Sequence, residues 1–82
     1  MLEQINQQIE VLVAFMKGKV LPLSFCWNDK KYSINKVNLV HSERIGRDKY
    51  YYFSVSAGED YFKLQFNTEN NKWLLAEAYY AS

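Results

Sequence analysis

The sequence has very few of the residues on which several kinds of protein depend. Its 82 residues include one cysteine, one proline and one histidine. A single cysteine cannot form an internal disulfide, which excludes a disulfide scaffold. A metal site would need the lone histidine, the cysteine and carboxylates together, and no spacing typical of metal ligands is present. We therefore expect no metal and no cofactor.

Long apolar runs are also missing. No run approaches the roughly 20 residues that a membrane-spanning helix needs. The first residues lack the basic flank, apolar stretch and small-residue cleavage site of a secretory signal, and no Asn-x-Ser/Thr acceptor occurs. These absences predict a cytoplasmic protein that does not associate with membranes.

The net charge of +1 conceals an uneven distribution. Residues 1–16 carry −2, residues 17–49 hold eight basic and three acidic side chains for +5, and residues 50–82 carry −2. A dedicated nucleic-acid-binding domain is usually much more basic than this middle segment. The charge by itself therefore points to no particular partner.

The abundant residues are apolar and aromatic. Hydrophobic residues make up 49% of the chain and aromatic residues 17%, which favours a folded chain over a disordered one. At this length residues 1–82 form one domain, and its core is close to the minimum size at which an oligomer contact often adds stability.

Alternating residues predict an organising hairpin near the start. One face of residues 20–27 carries large apolar side chains, and the opposite face is smaller. The large face, which we expect in the core, consists of Leu21, Leu23, Phe25 and Trp27. Asn28 and Asp29 tolerate left-handed backbone angles and predict a short turn. After that turn Tyr32 and Ile34 should point inward.

The first segment fits two periods. Apolar residues at steps of three and four suggest a helix, whereas Ile9, Val11, Val13 and Phe15 alternate as in a strand. Because the alternating set is β-branched or aromatic, we predict a strand over residues 8–16. Residues 3–8 are predicted to form a short helical turn or to fray.

The second half of the chain reads as further strands. The inward pattern shifts after Ile34 to Val37, Leu39 and His41, which predicts a bulge or sharp bend near Asn35. Residues 42–49 are predicted to form a polar loop, and residues 50–57, 61–66 and 72–79 to form strands. The expected fold is all-β, a small antiparallel barrel or strongly bent sheet of about six strands.

Several aromatic and turn positions form a recognisable pattern. They are Phe25-x-Trp27, Lys31-Tyr32-x-Ile34-x-x-Val37, Tyr52-Phe53-x-Val55, Gly58, Tyr61-x-x-Leu64 and Lys72-Trp73-x-Leu75. This pattern resembles a family of small bacterial all-β domains of unknown function, which share an F-x-W hairpin and a closing W-x-L strand. Some members lie near genes for error-prone DNA-repair polymerases. The resemblance implies the fold and carries no catalytic residue to this chain.

Candidates for catalysis are few. Cys26 lies within a predicted strand, with no helix N-terminus or base to activate its thiol. His41 reads as an ordinary residue at the end of a strand. Glu59 and Asp60 are adjacent in a turn, where their carboxylates point apart. No serine has the strand-to-helix context of a nucleophile elbow. We expect no enzymatic activity.

Two surfaces are candidates for binding a partner. The first is the outer side of the first two strands, where a protein partner or a second copy would cover apolar side chains. Its residues are Leu12, Ala14, Met16, Val20, Pro22 and Cys26. The expected function is protein contact or self-association.

The second surface gives an alternative function, the binding of single-stranded nucleic acid. Bases would stack on exposed tyrosines while cations contact the phosphates. Its residues are Arg44, Arg47, Lys49, Tyr50, Tyr52, Tyr61 and Lys63. Tyrosines are also good strand formers that cover their neighbours, so the same pattern fits a plain sheet surface.

Overall fold

A computed structural model describes residues 1–80 as seven antiparallel strands. They are β1 (Leu2–Met16), β2 (Lys19–Trp27), β3 (Lys30–Ser33), β4 (Lys36–Ile45), β5 (Asp48–Ala57), β6 (Asp60–Asn67) and β7 (Lys72–Tyr79). All seven belong to one sheet in the order β3-β2-β1-β7-β6-β5-β4, which curls into a half-barrel. The all-β prediction is confirmed, with seven strands in place of about six.

Tight turns join most of the strands. The β1–β2 turn has positive φ at Lys17 and Gly18, and the β2–β3 turn has positive φ at Asn28 and Asp29. Two consecutive residues with positive φ match a type I′ turn, whose twist suits a hairpin. The predicted Asn-Asp turn is therefore confirmed.

The predicted polar loop over residues 42–49 is wrong. β4 continues to Ile45 and β5 begins at Asp48, so only Gly46 and Arg47 form the turn. Polar residues are tolerated here because β4 is an edge strand whose side chains are mostly exposed. Hydrogen bonding to β5 therefore keeps this segment in a strand, although its polar composition is typical of a loop.

The predicted N-terminal helical turn is also wrong. β1 starts at Leu2 and pairs with β7 from Leu2 opposite Tyr79 to Ile9 opposite Trp73. A bulge between Gln4 and Gln7 interrupts this ladder, and Asn6 there has a φ of 52°. The partners of this segment lie at the other end of the chain, so local composition could not reveal them.

The core lies on the concave side of the sheet. Its most deeply buried large side chains are Phe25, Leu64, Leu75 and Val55. Aromatic rings connect the strands, with centroids 5.1 Å apart for Phe25 and Phe62. Burying each large side chain contributes roughly 1.5–3 kcal/mol, so this cluster is the main stabilising element.

A bulge in β2 reverses the predicted faces of its first half. Leu12 pairs with Ser24 and Val13 pairs with Pro22, so Leu23 has no opposite residue on β1. Phe25 is buried as predicted and Trp27 packs against the core. Leu23 is 45% exposed, which corrects its assignment to the core. Leu21 is only half-buried and also lies outside the core cluster.

The predicted bend after Ile34 is confirmed. Asn35 lies between β3 and β4, donates its N–H to the Ser56 carbonyl (2.8 Å) and accepts the Gly58 N–H at its side chain (2.7 Å). This corner joins the two edge strands of the sheet and helps the sheet to curl.

A further bulge follows the bend, at Asn38 between Val37 and Leu39. Val37 packs against the core as predicted. Leu39 is 60% exposed and His41 stacks on Tyr52, so the predicted inward positions of these two are wrong. The extra residue at Asn38 moves them to the outer face.

Candidate functional site

A two-stranded ribbon extends beyond the rest of the sheet. β1 pairs with β7 only as far as Ile9, and β2 pairs with β3 only from Ser24 onward. Residues 11–23 therefore pair mainly with each other, through the β1–β2 ladder. We call residues 11–23 the ribbon.

The ribbon exposes large apolar side chains. Phe15 is 72% exposed, Leu12 59%, Met16 56% and Leu23 45%. At roughly 200 Å² for a large apolar side chain, these four expose on the order of 450 Å². Residues 11–16 carry no charge. Because side chains alternate between the two faces of a strand, Phe15 projects on the groove side of the ribbon and Leu12 and Met16 on the opposite side. Exposed apolar side chains concentrated in one segment often mark binding surfaces.

A groove lies beside β1, between the ribbon and the start of β7. Its volume is about 550 Å³. Six of its ten lining residues are apolar: Ile9, Val11, Val13, Phe15, Phe66 and Trp73. Lys72 and Glu10 stand at its polar margin. The groove can therefore receive an apolar side chain attached to an extended backbone.

The structure divides the first set of predicted partner-binding residues. Leu12, Met16 and Cys26 are exposed, and Ala14 is half-buried. The other two turn inward because of the β2 bulge: Val20 packs against the core, and Pro22 is buried.

Phe15 and Leu23 were missed as surface residues. Leu23 alternates with Phe25 and was predicted to lie in the core. Phe15 alternates with Ile9, Val11 and Val13 and was in neither predicted surface. Phe15 directly precedes the last residue of β1 before the turn. Its closeness to the Lys17-Gly18 turn was the one signal in the sequence that could have indicated its exposure.

The second set of predicted residues divides between two faces. Tyr50 and Tyr52 alternate onto the outer face of β5, together with Ser54 and Ser56. Lys63 is opposite Ser54, and Tyr61 is opposite Ser56. We call the surface formed by Tyr50, Tyr52, Tyr61 and Lys63 the tyrosine face.

The remaining basic residues do not join the tyrosine face. Arg44 and Lys49 are opposite each other, on the other side of the sheet. Lys49 Nζ lies 5.0 Å from the ring centroid of Tyr51, which packs against the core. Arg47 occupies the turn, where its carbonyl accepts a hydrogen bond from Arg44 (3.4 Å). The cations and tyrosines are thus largely separated.

Carboxylates make the tyrosine face less favourable for an anion. Burial raises the pKa of Tyr50, and the charge of Asp48, which accepts the Tyr50 hydroxyl at 3.4 Å, raises it further. Burial followed by the charge of Glu43 raises the pKa of Tyr52. Lys63 Nζ is 4.0 Å from a carboxylate oxygen of Glu77. A phosphate approaching this face would meet negative charge.

Within residues 1–80 no group of three or more histidine, cysteine, aspartate or glutamate side chains is placed to hold a metal ion. That part of the chain also has no helix with the length and apolar character needed to span a membrane. No family model matches this chain, and comparisons with curated proteins and with solved structures give no match. The family resemblance in the aromatic pattern therefore stays a prediction.

Proposed function

We propose that this protein is a non-enzymatic binding module that acts through protein–protein contact, including self-association. The ribbon is its contact element. The observation that carries this proposal is the exposure of Leu12, Phe15 and Met16 within a segment that has no charge. We place this activity in the cytoplasm, in keeping with a chain that has a single cysteine.

The size of the ribbon supports a reversible contact. A standard interface buries about 800 Å² on each partner, roughly twice the apolar area exposed by the ribbon side chains. An interface of this smaller size is typical of weak or transient complexes. The ribbon therefore suits a partner that binds and dissociates.

A photoreactive side chain at the ribbon tests this proposal. Phe15 is replaced by p-benzoylphenylalanine in cells, and the matched control carries the same replacement at Leu39, which is 60% exposed on β4. Irradiation should produce protein adducts, either to a second copy or to another protein, from position 15 and several-fold fewer from position 39. Equal or absent adducts at the two positions would contradict the proposal.

A second proposal is the binding of single-stranded nucleic acid at the tyrosine face. Three tyrosines and Lys63 on one surface support it, since aromatic rings stack on bases. We place it second because Glu43, Asp48 and Glu77 surround this surface.

A labelled oligonucleotide tests the second proposal. Binding at low salt that weakens steeply as salt rises, and that is reduced in Tyr52→Ala, would support it. A lack of binding at low salt would exclude it.

A further inference from the structure

One segment of β1 has an unpaired edge. The β1–β7 ladder ends where Ile9 meets Trp73, and β7 itself begins at Lys72. Among residues 1–80, no strand continues the sheet on this side of residues 10–16. In an antiparallel ladder alternate residues direct their N–H and C=O groups to each side. Alternate residues of this segment therefore offer hydrogen bonds to a further strand.

Two other edges of the sheet carry features that discourage pairing, and residues 11–16 do not. The second edge of the ribbon contains Pro22 and a bulge at Leu23, whose carbonyl already accepts the Ile34 N–H (2.9 Å). The β4 edge has the Asn38 bulge and several charged side chains. Charges, prolines and bulges are the usual protection of an edge strand. Residues 11–16 have no charge, proline or bulge.

We infer that the β1 edge pairs with the β1 edge of a second copy, as two antiparallel strands related by a two-fold axis. This inference rests on the proposed function and specifies self-association as its form. An identical strand places the uncharged residues 11–16 of one copy against the same residues of the other. Two-fold pairing uses the edge of both copies, so the assembly stops at a dimer.

Sheet geometry restricts the register of this pairing. A two-fold axis perpendicular to the sheet keeps the concave faces of both copies on the same side. Two residues that lie opposite each other across the pair must then point to the same face of the sheet. The axis must therefore pass between the two copies of one residue. A centre at Leu12 would require Ile9, which is already paired with Trp73. A centre at Ala14 would place Val11 opposite Lys17, in the turn. The centre at Val13 uses all of residues 10–16.

The Val13 register places Phe15 in a suitable environment. Phe15 lies opposite the partner's Val11 and diagonal to the partner's Ile9, both of which line the groove beside Trp73. Each copy thus inserts its 72%-exposed phenylalanine into the groove of the other. Each copy has both the exposed phenylalanine and the groove, so the two-fold axis fills both grooves at once. The apolar area that this contact can bury is well below that of a standard interface, which predicts a weak dimer that forms with rising concentration.

Disulfide trapping tests the register. Cys26 is first changed to serine because its thiol is exposed. In that background Val13→Cys is compared with the matched control Leu12→Cys under oxidised glutathione. At the two-fold axis the Val13 Cα atoms are about 4.5–5.5 Å apart, within disulfide range for either kind of antiparallel pair. Two Leu12 residues are offset by about 6.8 Å along the strands as well as by the strand spacing, beyond that range. The covalent dimer should form at least tenfold faster from Val13→Cys.

The outcomes separate this inference from the proposed function. Light scattering of the unmodified chain should show a mass that rises towards two chains with concentration. Equal trapping of the two cysteine variants, with that rise retained, would overturn edge pairing and leave self-association in place. A single-chain mass throughout, with position 15 adducts to other proteins only, would overturn the second copy and leave protein contact in place. A single-chain mass with no adducts would overturn both.

Discussion

Two hairpins with the same alternation have opposite environments. The β1–β2 and β4–β5 hairpins each end in a two-residue turn containing a glycine with positive φ. Each carries a phenylalanine in its inward-facing pattern, yet Phe15 is 72% exposed and Phe53 is 2% exposed. β5 pairs with both β4 and β6 beside Phe53, whereas β1 beside Phe15 pairs with β2 alone. Burial is therefore decided by neighbouring strands as well as by alternation.

The edges of the two hairpins differ in the same way. β4 is an outer strand that carries a bulge and charged side chains, which is typical of an edge that remains unpaired. β1 lies inside the sheet order, and only its last residues extend past β7. This difference is the basis of our proposal that the β1 edge, unlike the β4 edge, is a contact surface.

Alanine at the two phenylalanines tests the comparison with the largest expected effect. Phe53→Ala should lower the free energy of unfolding by about 3–5 kcal/mol, because it leaves a cavity in the core. Phe15→Ala should change it by less than about 0.5 kcal/mol at concentrations where the chain is a monomer. Urea denaturation followed by tryptophan fluorescence measures both. Similar losses for the two variants would mean that Phe15 packs within its own chain.

Alanine at the two turn glycines should have an intermediate effect. Gly18 and Gly46 have φ of 75° and 61°, and a Cβ added at either would meet no atom within 4 Å. The cost is then backbone strain alone, about 1–2 kcal/mol in both hairpins. Gly18→Asn is the control, because asparagine tolerates this backbone conformation. A loss for Gly18→Asn as large as that for Gly18→Ala would contradict strain as the cause.

The smallest effect concerns the charged surroundings of the β4–β5 hairpin. The raised pKa of Tyr52 means that the folded state favours its neutral phenol. Its contribution to the free energy of unfolding is therefore fully present below the ordinary pKa of about 10. That contribution is lost as pH rises through the higher folded pKa. Relative to Tyr52→Phe, the unmodified chain should therefore lose unfolding free energy above about pH 10.

A carboxylate variant provides the control for this pH effect. Glu43→Gln removes one of the charges that raise the Tyr52 pKa, so it should reduce the loss. Denaturation at a series of pH values measures the differences between the three chains. An identical pH dependence for the unmodified chain and Tyr52→Phe would contradict the assigned shift.

Much of the fold could be predicted from local patterns. Alternation identified β5, β6 and β7, and Asn28 and Asp29 identified their turn, because backbone preferences act over a few residues. The candidate site was predicted only in part. Leu12 and Met16 were predicted to lie on a contact surface and are exposed, whereas the exposed Phe15 was in neither predicted surface.

The residues that local patterns misplaced depend on contacts between distant segments. Leu23 is exposed because a bulge in the β1–β2 ladder shifts its face, and Leu39 because a bulge at Asn38 does the same. Such bulges arise when a strand adjusts to its partners, and the alternation by itself does not reveal every one.

Side-chain chemistry along the chain was sufficient to specify strands, most turns and an apolar first hairpin. Tertiary structure decided which part of that hairpin is covered. β7 comes from the other end of the chain and its pairing with β1 stops at Ile9, so the apolar residues beyond Ile9 have a neighbouring strand, β2, on one side only. The physical reason is that a side chain is removed from water only where a neighbouring element lies against it, and ladder lengths are set by pairing between distant segments.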